Sequence, residues 1–275
     1  MCPVKFMKPN TLSRHQNIPN PASYRAFTLV ELVVVVTILA LVAAMSLPAL
    51  CKTNIKSHGL QCMSNMKTLN AAWTTWSLDN GEKLMGSRDW VVLSDMSDPA
   101  SVEFIDLNRR LTTSPFIVYL GENVKVYKCP ADPRVSTHSL YKGTPIARSY
   151  SVNIWMGTDG GPGYTVFKKM SDMNRPGPAN TFVFADEGKS INDPVMFVPM
   201  DTYDPINLPG KAWIDVPASF HSNAGNLSFV DGHVETHKWT DARTLTATIA
   251  TASPNNLDID WLQSKSSAKI TNPTR

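Results

Sequence analysis

Arg25-Ala26-Phe27-Thr28-Leu29-Val30-Glu31-Leu32 opens the stretch that decides how this chain is built, and VVVVTILALVAAMSL (33–47) completes it, with Pro48 directly after. Phe27 to Leu47 is 21 residues carrying one charge, Glu31. As an α-helix such a run is about 32 Å long, close to the hydrocarbon thickness of a bilayer. A secretory signal peptide would have a shorter apolar region followed by a small-residue cleavage site, and this run is too long for one. Residues 27–48 are therefore expected to be a transmembrane helix. A carboxylate four residues into such a segment costs about 2.5–3.5 kcal/mol at the bilayer centre and less near an end, and intramembrane charges usually find a partner. Cutting the chain before Phe27 would create an α-amine four residues from Glu31, on the same subunit or on a neighbour.

Upstream, residues 1–26 are polar and basic, with Lys5, Lys8, Arg14 and Arg25 and no acid. Without them the 26 basic residues of the chain fall to 22 against 23 acids, so the formal +3 becomes −1. The basic balance thus belongs to the first segment and gives no argument for nucleic-acid binding. Basic residues before the apolar run predict a cytoplasmic N-terminus, a single pass and an exported C-terminal part.

These residues resemble the leader cleavage and methylation motif of type IV pilins and type II secretion pseudopilins. The resemblance implies that a prepilin peptidase cuts between Ala26 and Phe27 and methylates the Phe27 amine. It places the family's assembly glutamate at Glu31 and its helix proline at Pro48. Ala26 departs from the family, which usually has Gly there. The partners implied are the prepilin peptidase, other pilin or pseudopilin subunits in a homo- or hetero-polymer, an inner-membrane assembly platform and lipid. The expected location is the inner membrane, with the C-terminal domain periplasmic.

Beyond Pro48, Ile55, Gly59, Cys62, Met66, Leu69, Trp73 and Trp76 recur at steps of three and four, one face of a helix. Residues 49–80 are expected to continue the membrane helix as an amphipathic segment, bent at Pro48 and stopped by Asn80-Gly81. From residue 81 to 264 the period changes to short β-rich runs: Ser149–Ile154, Thr181–Ala185, Val195–Pro199, Lys211–Ile214, Asn226–Val230 and His233–Trp239. Asp231-Gly232 between the last two reads as a type I′ hairpin turn. TDGGPGYT and MNRPGPAN mark long loops, and 265–275 reads as a frayed polar tail. The expected fold is α+β: a long N-terminal helix packed on an antiparallel sheet with large loop insertions.

His221, nine residues and then Asp231-Gly232-His233 resemble the His-x9-Asp-Gly pattern of prepilin-type proteins, as do CMSNMKTLN (62–70), YKCPAD (127–132), RSYSVNIWMG (148–157), TFVFADEGKSIND (181–193) and DIDWLQ (258–263). The biochemical role of that group is poorly defined.

Candidate chemistry is sparse, and the expectation is a structural subunit with no catalytic residues and no cofactor. A metal at His221, Asp231 and His233 competes with turn chemistry, which already explains Asp-Gly. A calcium site at Asp186, Glu187 and Asp193, with Asp258 and Asp260, has a precedent in the major pseudopilins but lacks EF-hand spacing. Asp186, Asp193 and His221 are kept as the candidate ligands. Ser149 or Ser151 with His221 and Asp186 lacks a nucleophile elbow. Of four cysteines, Cys2 leaves with the leader and Cys51 sits at the membrane edge; Cys62 and Cys129 are either a disulfide stapling helix to domain or two buried thiols. Besides a fibre subunit, two readings stay open: a membrane-anchored binding protein that does not polymerise, and a tethered metal-dependent enzyme.

Overall fold

The computed structural model describes residues 27–91, 98–101, 111–157, 159–189, 191–200 and 211–270, without the side chains of 44–55. The leader, 1–26, including Ala26, lies outside the described residues. The chain divides into two units, Met1–Ala49 and Leu50–Arg275. Helix α1, Leu29–Asp79, contributes to both.

In the first unit Thr28 caps the helix. Its hydroxyl accepts from the Glu31 backbone N–H (3.2 Å), and Glu31 Oε2 accepts from the Thr28 backbone N–H (2.9 Å). This Thr-x-x-Glu capping box satisfies two N–H groups that a helix start leaves orphaned. Leu29, Val30, Leu32, Val33, Val36, Ile38, Leu39, Leu41 and Val42 are all exposed. Among the described residues no helix is long and apolar enough to cross a membrane. The segment expected to span the membrane, 27–48, runs past Ala43, where the described side chains stop; the Pro48 side chain lies outside them.

In the second unit the stripe on α1 is buried as its spacing predicts: Cys62, Met66, Leu69 and Trp73 are at most 1% exposed. The helix stops at Asp79, one residue before Asn80-Gly81. Two side-chain bonds fasten its inner face. Asn65 Nδ2 donates to the Lys128 carbonyl at 2.9 Å and Asn70 Nδ2 to the Phe229 carbonyl at 2.5 Å.

Seven strands are described: β1 Tyr150–Asn153, β2 Phe182–Asp186, β3 Val195–Met196, β4 Ala212–Trp213, β5 Ala224–Phe229, β6 Val234–Lys238 and β7 Thr251–Ala252. Five form a sheet in the order β3-β1-β2-β5-β6, and β4 pairs with β7. All six β-rich runs of the sequence therefore hold a strand. The sheet is mixed, however, not antiparallel: β3 pairs parallel to β1, Val152 opposite Val195. The long segment from Gly188 to Pro194 and the intervening β2 allow β3 to return on the far side of β1, which a hairpin cannot do.

The β5–β6 connection also differs from expectation. A type I′ turn needs positive φ at both central residues, and here only Gly232 (φ 91°) has it. The Gly232 N–H donates to the Phe229 carbonyl, and the Phe229 N–H to that of His233, both at 2.9 Å. The result is a turn followed by a glycine bulge.

The sheet separates two cores. Trp90 stacks on Tyr127 (centroids 5.8 Å apart) and meets Phe184 edge-on (5.2 Å), in the same cluster as the α1 stripe. Phe182, Trp213, Phe229 and Trp239 pack with Ile259 and Leu262 of a short C-terminal helix, Leu257–Ser264, called α3 after α2 at Ala242–Thr246. A register shift between Phe182 and Phe184 sends two residues of one strand into opposite cores. Residues 265–270 are not frayed: Ser266 is fully buried, the Ala268 carbonyl accepts from Thr165 N–H, and Ile270 N–H donates to the Gly163 carbonyl.

Candidate functional sites

Phe27, the residue after the expected cut, is 72% exposed and lies just outside α1. Glu31 sits on the first turn, where a carboxylate faces the positive end of the helix dipole. Thr37, a polar residue inside the run, turns its hydroxyl back to the carbonyls of Val33 (2.9 Å) and Val34 (2.8 Å), so its polar group is satisfied within the helix. What remains is a contiguous exposed apolar surface, which in soluble monomers is rare and marks an interaction site.

The second site lies inside the domain. Cys62 comes from the α1 stripe, Cys129 from the YKCPAD loop, Asp186 from the end of β2 and His221 from the turn before β5. All four are buried, and one donor atom from each lies within 4.8 Å of the others. Cys62 Sγ stands 3.4 Å from Asp186 Oδ1 and 3.5 Å from Oδ2. His221 Nε2 stands 3.4 Å from Cys129 Sγ and 3.3 Å from Asp186 Oδ2. An outer layer orients these donors: the Tyr150 hydroxyl reaches Cys62 Sγ at 3.4 Å, and the Asn226 backbone N–H donates to Asp186 Oδ2 at 3.0 Å.

Electrostatics follow from that crowding. Burial pushes the Cys62 thiol up, with Cys129 and Asp186 adding to it. The bond to Cys62 holds Cys129 down, at about 7, against burial, and His221 helps. Burial favours neutral His221, but Asp186 and Cys129 outweigh it and hold the ring up, at about 10. An open cleft of about 410 Å³ reaches the His221 ring between Lys56, Gly59, Leu60 and Thr236.

Of the expected metal ligands, Asp186 and His221 are here, but Asp193 is not. It pairs with Arg88 at 2.5 Å and caps Val195 N–H at 2.9 Å. The other acids of the calcium expectation are engaged elsewhere. Glu187 accepts from Ser151, Asp260 pairs with Lys211, and Asp258 accepts from the Thr240 and Asp241 backbone and the Thr244 hydroxyl. Cys62 and Cys129 are brought together as the staple requires, but as free thiols and not as a disulfide. Ser149 donates to Asp132 at 2.6 Å, so neither serine is directed at His221.

The His-x9-Asp-Gly residues separate. The His221 side chain is 5% exposed inside the cluster. Asp231 and His233 are more than a third exposed at the hairpin tip, bonded to one another at 2.6 Å, with the His233 ring stacked on Phe229 at 4.3 Å. Each of the four clustered residues belongs to a stretch already singled out in the sequence; their convergence carries no spacing signal because four different elements deliver them.

Residues 22–47 match the family model described as the prokaryotic N-terminal methylation motif. No curated protein and no solved structure matches the chain.

Proposed function

We propose that this chain is a pilin-like structural subunit, cut before Phe27 by a prepilin peptidase, N-methylated there, and assembled through residues 27–48 into a type II secretion pseudopilus or type IV pilus-like fibre. One observation carries the reading: the methylation-motif match at 22–47 falls on the segment whose described apolar side chains are exposed. Before assembly that surface would rest in the inner membrane, and in the fibre it would face the same helix of other subunits. Glu31 would then meet the Phe27 amine of a neighbour and set the stagger between subunits. The exported domain carries the specific part of the work, and among the described residues Ser149 and Ser151 are bonded to Asp132 and Glu187 and not to His221.

An anchored binding protein would use the same segment without polymerising. Glu31→Ala separates the two. In cells that assemble the fibre, the variant is expected in the membrane fraction and absent from sheared fibres. Unchanged incorporation of Glu31→Ala would sink the role of Glu31 in assembly, and absence of wild-type chain from any fibre would leave the anchor.

A further inference from the structure

We propose that Cys62, Cys129, Asp186 and His221 bind one Zn²⁺ ion in a closed tetrahedral structural site that locks the exported part of α1 to the sheet. The geometry points to it. Bond lengths of about 2.3 Å to sulfur, 2.0–2.1 Å to nitrogen and 2.0–2.2 Å to oxygen give a tetrahedron with S···N and S···O edges of about 3.5 Å and an N···O edge of about 3.4 Å. With Asp186 Oδ2 as the oxygen donor, the cluster shows 3.4 Å for Cys129 Sγ to His221 Nε2, 3.5 Å for Cys62 Sγ to Oδ2, and 3.3 Å for His221 Nε2 to Oδ2. Four side chains from four elements thus bring one donor atom each within 4.8 Å of the others, with three of the edges at the lengths of a zinc tetrahedron.

The chemistry of the set selects the ion. Two thiols and an imidazole are soft and borderline donors that suit zinc and disfavour calcium or magnesium, which take oxygen. Asp186 is fully buried, and among the described residues His221 is the only cationic partner within ion-pair distance. A buried carboxylate needs an opposite charge beside it, which His221 supplies when protonated and a bound cation would supply once the ring is a neutral ligand. The Tyr150 hydroxyl and the Asn226 N–H supply the outer-shell donors that fix ligands in metal sites. The cleft at Gly59 and His221 gives the ion a way in. All four coordination positions are taken by protein, so the site is structural and leaves none for a substrate.

The same two sulfurs would otherwise close a disulfide in an oxidising compartment, and the test separates the two. The detergent-extracted full-length chain, purified without added metal or chelator, is assayed for metal by mass spectrometry and for free thiols. One zinc per chain is expected, with Cys62 and Cys129 blocked from thiol reagents in the folded holo-protein and reactive on denaturation. Chelation should lower the melting midpoint, and stoichiometric Zn²⁺, not Ca²⁺, should restore it. Cobalt in place of zinc should give the intense visible bands of a tetrahedral ion and a thiolate charge-transfer band. Cys129→Ser should lose the zinc, while Asp193→Asn, outside the cluster, should keep it. A zinc-free chain whose peptide map shows a Cys62–Cys129 disulfide, a chain that takes calcium instead, or full zinc in Cys129→Ser would each overturn the proposal. The wild-type measurements decide it even if Cys129→Ser does not fold, and none of them depends on processing before Phe27.

Discussion

Glu31 Oε2 accepts from both the backbone N–H of Thr28, at 2.9 Å, and its hydroxyl, at 2.8 Å. The carboxylate proposed to set subunit stagger is therefore also the N3 residue of a capping box. The two roles are separable. Thr28→Ala removes the cap at a cost of about 1 kcal/mol of helix stability, so fibre yield should fall modestly while Glu31→Ala abolishes it. Equal loss in the two variants, measured as subunit in sheared fibres, would reduce Glu31 to a helix cap.

Trp73 is 1% exposed on the α1 stripe, and Leu78, one turn on, is 62% exposed. Trp73→Ala should destabilise the second unit by about 3–5 kcal/mol through lost burial and the cavity left behind. Leu78→Ala should change it by less than about 0.5 kcal/mol. Denaturant unfolding followed by tryptophan fluorescence and by circular dichroism checks both. Similar effects at the two positions would mean that the stripe does not pack on the domain.

Asp215 is buried, and burial raises its carboxyl well above the ordinary range; Glu187 and Asp193 add to the rise, while the Phe197 N–H and Arg88 oppose it. A carboxyl whose folded pKa exceeds its unfolded one binds a proton on folding. Its contribution to stability is full below the unfolded pKa and is lost as pH climbs through the folded one. Unfolding free energy should therefore decline as pH rises above the normal aspartate range, and Asp215→Asn should flatten that decline. An unchanged slope in the variant would assign the pH dependence to other groups.

Much of this was legible in the sequence, for identifiable reasons. The Cys62-Met66-Leu69-Trp73 stripe obeys a helical period that needs no tertiary information, and the β-rich runs are bounded by turn residues that act locally. The parallel β1–β3 pair was not legible, because pairing direction depends on where the Gly188–Pro194 segment carries the chain. Asp231-Gly232 marked the hairpin, yet the choice between turn types depends on φ at Asp231, which the β5–β6 register imposes. At the cluster, acid density drew attention to Asp193, which Arg88 takes. The two cysteines were read as either a disulfide or two buried thiols, and their convergence with Asp186 and His221 emerges only once α1, β2 and two loops are assembled.

Processing at the bond between Ala26 and Phe27 is read from the N-terminus of the mature chain. The full chain would be coexpressed with a prepilin peptidase, extracted from membranes and sequenced by mass spectrometry. A product beginning with N-methylated Phe27 is the expected result. A product that keeps the residues before Phe27, or one cut after the apolar run near Ala44, would contradict the pilin-like account.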